Sequence, residues 1–216
     1  MEEVKPQVVI AGNALKSNAV AYERSDRPLL AVILQDIRDK GLSVKQLKSL
    51  RAPITIAIRA DDPKSIERAA AYKDAGFEII AMVPNDRNFA LNLATNPEQV
   101  DTALETIFSS VPNAIGLMDN GLAKVQKNSR TADSIVNNFK QNGYGLITYA
   151  KGLNAVDRVA ATSGVRTAKI ARTLDANREN KALIIRYLDR VSLDAGRDGE
   201  AIVLGTTNKA TVIALA

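Results

Sequence analysis

"APITIAIRADDPKSIERAAAYKDAGFEIIAMVPND", residues 52–86, holds two short apolar runs separated by one helical stretch. "ITIAIR" (54–59) and "FEIIAMV" (77–83) are nearly continuous in β-branched and aliphatic residues. That is how strands read when both faces are covered, as in parallel sheets. Between them, "DDPKSIERAAAYKDAG" opens on Asp61 and Asp62 as helix caps, carries Pro63 in its first turn and stops at Gly76. Pro inside the start and Gly past the end is the asymmetry a helix favours. Strand, helix and strand in that order imply parallel pairing through a right-handed crossover.

The same unit repeats outward in both directions. "LLAVIL" (29–34) precedes it; "AIGLM" (114–118), "YGLITY" (144–149), "RTAKI" (166–170) and "AIVLG" (201–205) follow. The intervening helices carry similar punctuation: Asn96-Pro97 at one start, and Gly143, Gly164 and Gly199 at three ends. No linker rich in Pro, Gly or Ser divides the series. Seven βα units in one α/β chain suit a closed or nearly closed TIM-like barrel of parallel strands better than an open doubly wound sheet. The barrel is expected over residues 28–216, behind an extended lead-in at 1–27. No strand is followed by a Gly-rich phosphate loop: "LQDIRDKG" and "LGTTNKA" match neither dinucleotide nor P-loop spacing.

Composition narrows the chemistry. The 216 residues are 46% hydrophobic, 25% charged and 4% aromatic, so the core is aliphatic. The net charge of +5 comes from Lys and Arg scattered among acids, which reads as a solvated surface rather than a nucleic-acid platform. There is no cysteine and no histidine. Disulfides, thiolate nucleophiles, cysteine-ligated zinc and imidazole bases are therefore excluded. No stretch approaches the roughly 18 apolar residues of a membrane span. The start, "MEEVKPQVVIAGN", does not read as a signal peptide.

In βα barrels chemistry gathers at the carboxyl ends of the strands. Those ends carry Gln35 and Asp36; Arg59 and Asp61; Met82, Pro84, Asn85 and Asp86; Asp119 and Asn120; Tyr149 and Lys151; Arg172, Asp175 and Asn177; and Thr206, Thr207 and Asn208. The candidate ligand-binding residues are Asp36, Asp86, Asp119, Asn120, Tyr149, Lys151, Arg172 and Asp175. Plainer roles compete at several of them. Asp36 suits a turn or cap, Met82 suits core filling, Asp119-Asn120-Gly121 suits a turn, Arg172 with Asp175 suits an ion pair, and Lys151 suits a solvated surface.

The order of these segments resembles the divergent polysaccharide deacetylase family, a branch of the NodB-type carbohydrate esterases. The likeness covers about residues 28–208. It is carried by "PLLAVILQDIRDKG", by residues 52–86, and by "VPNAIGLMDNG", "LDANREN" and "AIVLGTT"; "NALKSNAVAYERSDRP" is similar to the lead-in of alphaproteobacterial members. The resemblance implies a distorted seven-unit barrel and metal-assisted removal of N-acetyl groups from an aminosugar polymer. In such chemistry a divalent metal polarises the carbonyl and activates water. An Asp and two His hold that metal, a second Asp is the base and another His the acid.

Set against that pattern, this chain is degenerate. Gln35-Asp36 stands where the family shows Asp-Asp, so the base position is an amide. Met82 stands for a histidine, Asp119-Asn120 for Asn-His, Tyr149-Ala150-Lys151 for Asp-Ser-Arg, and Gly205-Thr206-Thr207 for Gly-His-Pro. Only Asp36 and Asp175 keep the family's acids at the rim. The catalytic positions Gln35 and Thr206 and the metal positions Met82 and Asn120 are thus degenerate, and no zinc is expected.

The expectation is a pseudoenzyme that binds a glycan or an envelope protein through the barrel mouth, with no nucleic-acid partner. The resemblance implies a periplasmic or membrane-anchored extracytoplasmic setting. Two other readings stay open. Asp36, Asp86, Asp119 and Asp175 form a carboxylate cluster that hydrolyses carbohydrate without zinc or weakly holds calcium or magnesium through oxygen ligands. Alternatively, the chain is an interaction domain that works through an outer helix face.

Overall fold

The computed structural model describes residues 13–22, 26–84, 86, 88–122, 124–150 and 152–216. Seven parallel strands close into a barrel in chain order: β1 (Leu29–Gln35), β2 (Ile54–Arg59), β3 (Glu78–Met82), β4 (Gly116–Met118), β5 (Gly145–Tyr149), β6 (Thr167–Thr173) and β7 (Glu200–Thr206). Closure runs through β1, which pairs with β2 from Val32 opposite Ile54 and with β7 from Leu29 opposite Glu200 to Gln35 opposite Thr206. The apolar runs sit where the sequence places them. β4 is the exception, shortened to Gly116–Met118.

The helices are α1 (Ala14–Asn18), α2 (Val44–Leu47), α3 (Ser65–Asp74), α4 (Ala90–Leu93), α5 (Pro97–Ser110), α6 (Lys124–Lys127), α7 (Ala132–Asn142), α8 (Ala155–Ser163), α9 (Lys181–Asp198) and α10 (Lys209–Leu215), with a 3-10 turn at Arg38–Lys40. Asn96, Asn154, Asn180 and Asn208 each accept a bond from the backbone N–H three residues on, satisfying a donor the helix cannot. Asp61 and Asp62 do not cap α3. Asp62 accepts from Lys64 N (2.9 Å) in the turn ahead of the helix, and Asp61 clasps Arg59. Pro63 therefore lies outside the helix, which starts at Ser65.

Strand alternation divides the core in two. Ile33, Ala57, Ile80, Met82, Met118, Ile170 and Leu204 fill the lumen. Leu34, Ile56, Ile58, Ile79, Leu117 and Val203 face outward into the helical layer. Both faces are buried, which is why the strands read as unbroken apolar runs.

The lead-in is not wholly extended, because α1 forms within it. It crosses the amino-terminal end of the barrel. Leu15 N donates to Gly143 O (3.0 Å) beside the start of β5, and Val20 N donates to Glu78 Oε2 (3.2 Å) at the start of β3. Gly143 takes a left-handed conformation, and a Cβ there would stand 2.4 Å from Asn13 Cα, so only glycine lets the lead-in approach so closely.

Candidate functional site

The opposite, carboxyl end of the barrel is the mouth. Ile33 is in the lumen, so Gln35 is the next residue of β1 to point inward, and Asp36 is turned to the outside. Gln35, Arg59, Tyr149 and Thr206 stand on inward register positions and are partly exposed, above a floor that includes buried Met82 and Met118.

Asp36 is only 7% exposed and does not open into the mouth. Its Oδ1 accepts from Arg38 N (2.8 Å) and its Oδ2 from Arg68 Nη1 (3.1 Å) on α3. Burial, and then the Asp36 charge, push the Tyr72 hydroxyl well above the ordinary tyrosine range. Arg68 contacts Asp39 (3.0 Å) and lies 3.9 Å from Asp62, which in turn holds Arg38 at 2.7 Å. Burial opposes the Arg68 charge, but Asp36, Asp39 and Asp62 more than offset it and raise its pKa.

Around the rest of the rim several polar groups are engaged locally. Arg59 is clasped by Asp61, whose hydrogen bonds raise its pKa against some desolvation. Asp86 accepts from Asn88 N (2.9 Å) and forms a turn. Asp119, fully buried, accepts from Gly121 N (3.1 Å) and Gln126 N (3.0 Å). Asn120 donates to Pro84 O (2.8 Å) and accepts from Leu122 N (2.9 Å). Burial, and then Asp119, push the Tyr149 hydroxyl up to about 12, so it stays a neutral donor. Lys151 and Asn85 lie outside the described residues.

On the far side, Arg172 and Asp175 do not pair. Arg172 stacks 4.3 Å over the ring of Tyr187 on α9, outside the barrel. Asp175 Oδ2 accepts from Thr206 N (2.9 Å), Thr206 Oγ1 (2.6 Å), Asn208 Nδ2 (2.5 Å) and Thr211 Oγ1 (2.6 Å). Thr207 Oγ1 accepts from Ile37 N (3.3 Å), which ties the loop after β1 to the tip of β7.

Asp36, Asp86, Asp119 and Asp175 are thus directed at separate partners and are not gathered into one cluster. Among the described residues, no group of three or more His, Cys, Asp or Glu is placed to hold a metal ion. Nor do the residues at the positions implied for a deacetylase cation fit one. Asp36 is held by a guanidinium, Met82 offers a thioether inside an apolar lumen, and Asn120 is bonded to backbone.

Two residues that organise the rim do not stand out in the sequence. Gln126, fully buried, donates its backbone N–H to Asp119 and accepts from Tyr149 N (3.0 Å), joining the loops after β4 and β5. No pattern signals it. Arg68 has one signal: it lies four residues before Tyr72, on a face of α3 that packs against the barrel.

A model of the divergent polysaccharide deacetylase family matches residues 32–216. No curated protein sequence matches the chain. Among solved structures it is similar to an uncharacterized protein from Agrobacterium tumefaciens C58, with a TM-score of 0.74 and 16% identity over 94% of this chain and 87% of that one. It is also similar to the catalytic domain of peptidoglycan N-acetylglucosamine deacetylase from Eubacterium rectale, at 0.53 and 11% over 93% and 86%. A family 4 carbohydrate esterase from Streptomyces lividans, in complex with acetate, matches at 0.51 and 11% over 88% and 85%. At these identities the likeness is one of fold.

Proposed function

The chain belongs to the divergent polysaccharide deacetylase family, and we propose that it holds a cell-envelope glycan at the barrel mouth without hydrolysing it. One observation carries this reading: every group standing at a metal or base position is non-ligating or already committed within the protein. Asp36 is on Arg68, Asn120 on Pro84, and Thr206 on Asp175, while Gln35 is an amide and Met82 a thioether. A water molecule there meets neither a Lewis acid nor a base.

What remains at the mouth suits binding. Gln35 and Arg59 supply polar contacts, and Tyr149 supplies an aromatic edge with a hydroxyl that stays protonated. A few placed polar groups above an apolar floor is the usual make-up of a small-ligand site. The solved relatives include enzymes for peptidoglycan and carbohydrate esters, which points to an aminosugar polymer and an extracytoplasmic setting. The test is cosedimentation with purified peptidoglycan, alongside an acetate-release assay with added zinc, manganese or calcium. Binding without acetate release is expected. Acetate above a metal-free blank overturns the non-hydrolytic part, and failure to sediment overturns the glycan part.

A second reading has its own support. Leu93, Leu122 and Leu153 are 58%, 49% and 82% exposed, on the successive connections after β3, β4 and β5. Large apolar side chains exposed along one arc of a rim suit an envelope protein partner. If the polymer fails to bind, this arc is the surface to truncate in a partner screen.

A further inference from the structure

We infer that Arg68 is the resident cation of the rim: its guanidinium neutralises Asp36 and keeps a divalent ion from using that carboxylate. The inference rests on the non-metal reading above and explains it at one residue. Three carboxylates surround the guanidinium. Asp36 Oδ2 is 3.1 Å from Nη1, Asp39 Oδ1 is 3.0 Å from Nη2, and Asp62 Oδ2 is 3.9 Å from Nε. Two nitrogens of the planar fork are bonded to two different acids, an arrangement a lysine's point charge cannot reproduce, while the buried Nε has no hydrogen-bond partner and meets Asp62 only at ion-pair range.

The charge balance is specific. Three carboxylates face two guanidinium groups, Arg68 and Arg38, the second bound to Asp62 at 2.7 Å. Removing Arg68 leaves two negative charges uncompensated, the charge of one divalent ion. The place is protected from water: the Asp36 side chain is 4% exposed, Asp62 8% and Arg68 18%. Burying a carboxylate without a partner is costly. Asp39, at 94% exposed, is free to swing. Oxygen ligands of this kind suit calcium, whose coordination is flexible. Arg68 acts here through Asp36, as a positioning residue.

The test compares the native chain, Arg68→Ala and Asp36→Asn/Arg68→Ala by thermal unfolding, each with and without calcium chloride at about 10 mM, above the weak end of protein calcium sites. The native chain is expected to be insensitive. Arg68→Ala should melt lower and regain about 3 °C or more with calcium, while the double variant should lose that response. A folded Arg68→Ala that ignores calcium overturns the inference. If Arg68→Ala does not fold, the double variant decides: recovery of folding supports Arg68 as the counter-cation, and no recovery overturns it. A native chain that itself binds calcium overturns the non-metal reading instead, so the two failures are distinct.

Discussion

Thr206 meets Asp175 twice: its backbone N–H and its hydroxyl both donate to the same carboxylate oxygen, at 2.9 and 2.6 Å. Thr206 stands where the family resemblance implies a catalytic histidine, and here it closes a knot that also binds Asn208 and Thr211. The residue is structural in its contacts, and Asp175 fixes the tip of β7 to the start of α10.

Asp175→Ala should therefore destabilise strongly. It strands four donors around a buried gap, a loss of about 3 kcal/mol. Urea unfolding measures this, and a loss under about 1 kcal/mol would show that the knot contributes little.

Gly116→Ala should be worse tolerated than its small size suggests. A Cβ there would fall 2.1 Å from Gly145 O across the β4–β5 ladder, and a backbone carbonyl in a closed barrel has nowhere to move. A cost of about 3 kcal/mol is expected. The control is Gly196→Ala, where a Cβ would meet nothing within 4 Å and which sits within α9. That substitution should stabilise slightly.

Asp157 supplies a pH signature. Its carboxylate holds Lys169 at 2.6 Å and the Thr167 hydroxyl at 2.6 Å, tying α8 to β6. Burial works against the charge, but Lys169 and then Thr167 outweigh it, and the folded pKa lies below the ordinary aspartate value. A depressed folded pKa stabilises above the unfolded value of about 3.9 and loses that contribution as pH falls through the folded one. The melting temperatures of the native chain and Asp157→Asn should differ at neutral pH and converge below pH about 4. A gap that persists in acid would count against the ion pair.

Tyr149→Ala should weaken glycan binding about tenfold, whereas Tyr149→Phe should keep most of it. Because the hydroxyl titrates at about 12, this residue should add no pH dependence to binding between about pH 6 and 9. Titration calorimetry with aminosugar oligomers measures both effects. Equal affinities for Tyr149→Ala and the native chain would remove this residue from the site.

The strands were legible because a parallel barrel buries both faces, so that "ITIAIR" and "AIVLG" are written almost entirely in apolar letters. Asn-Pro and terminal Gly marked helix ends for the same local reason. The rim was less legible. Gln35 and Asp36 look like a pair in sequence, yet strand alternation sends them to opposite sides, a consequence available from Ile33 onward. Arg172 and Asp175 are close in sequence and engage different elements, because β6 is irregular between Ile170 and Arg172. Which acid meets which base across a rim depends on loop geometry, and single-residue spacing does not encode it.

The strap across the amino-terminal end has a practical meaning for handling the molecule. Leu15 is pinned beneath β5 and Val20 beneath β3, so a tether joined through α1 attaches at the pole away from Gln35 and Tyr149. A protein immobilised by that end would offer its cup to the solution, with nothing from the support standing in front of it.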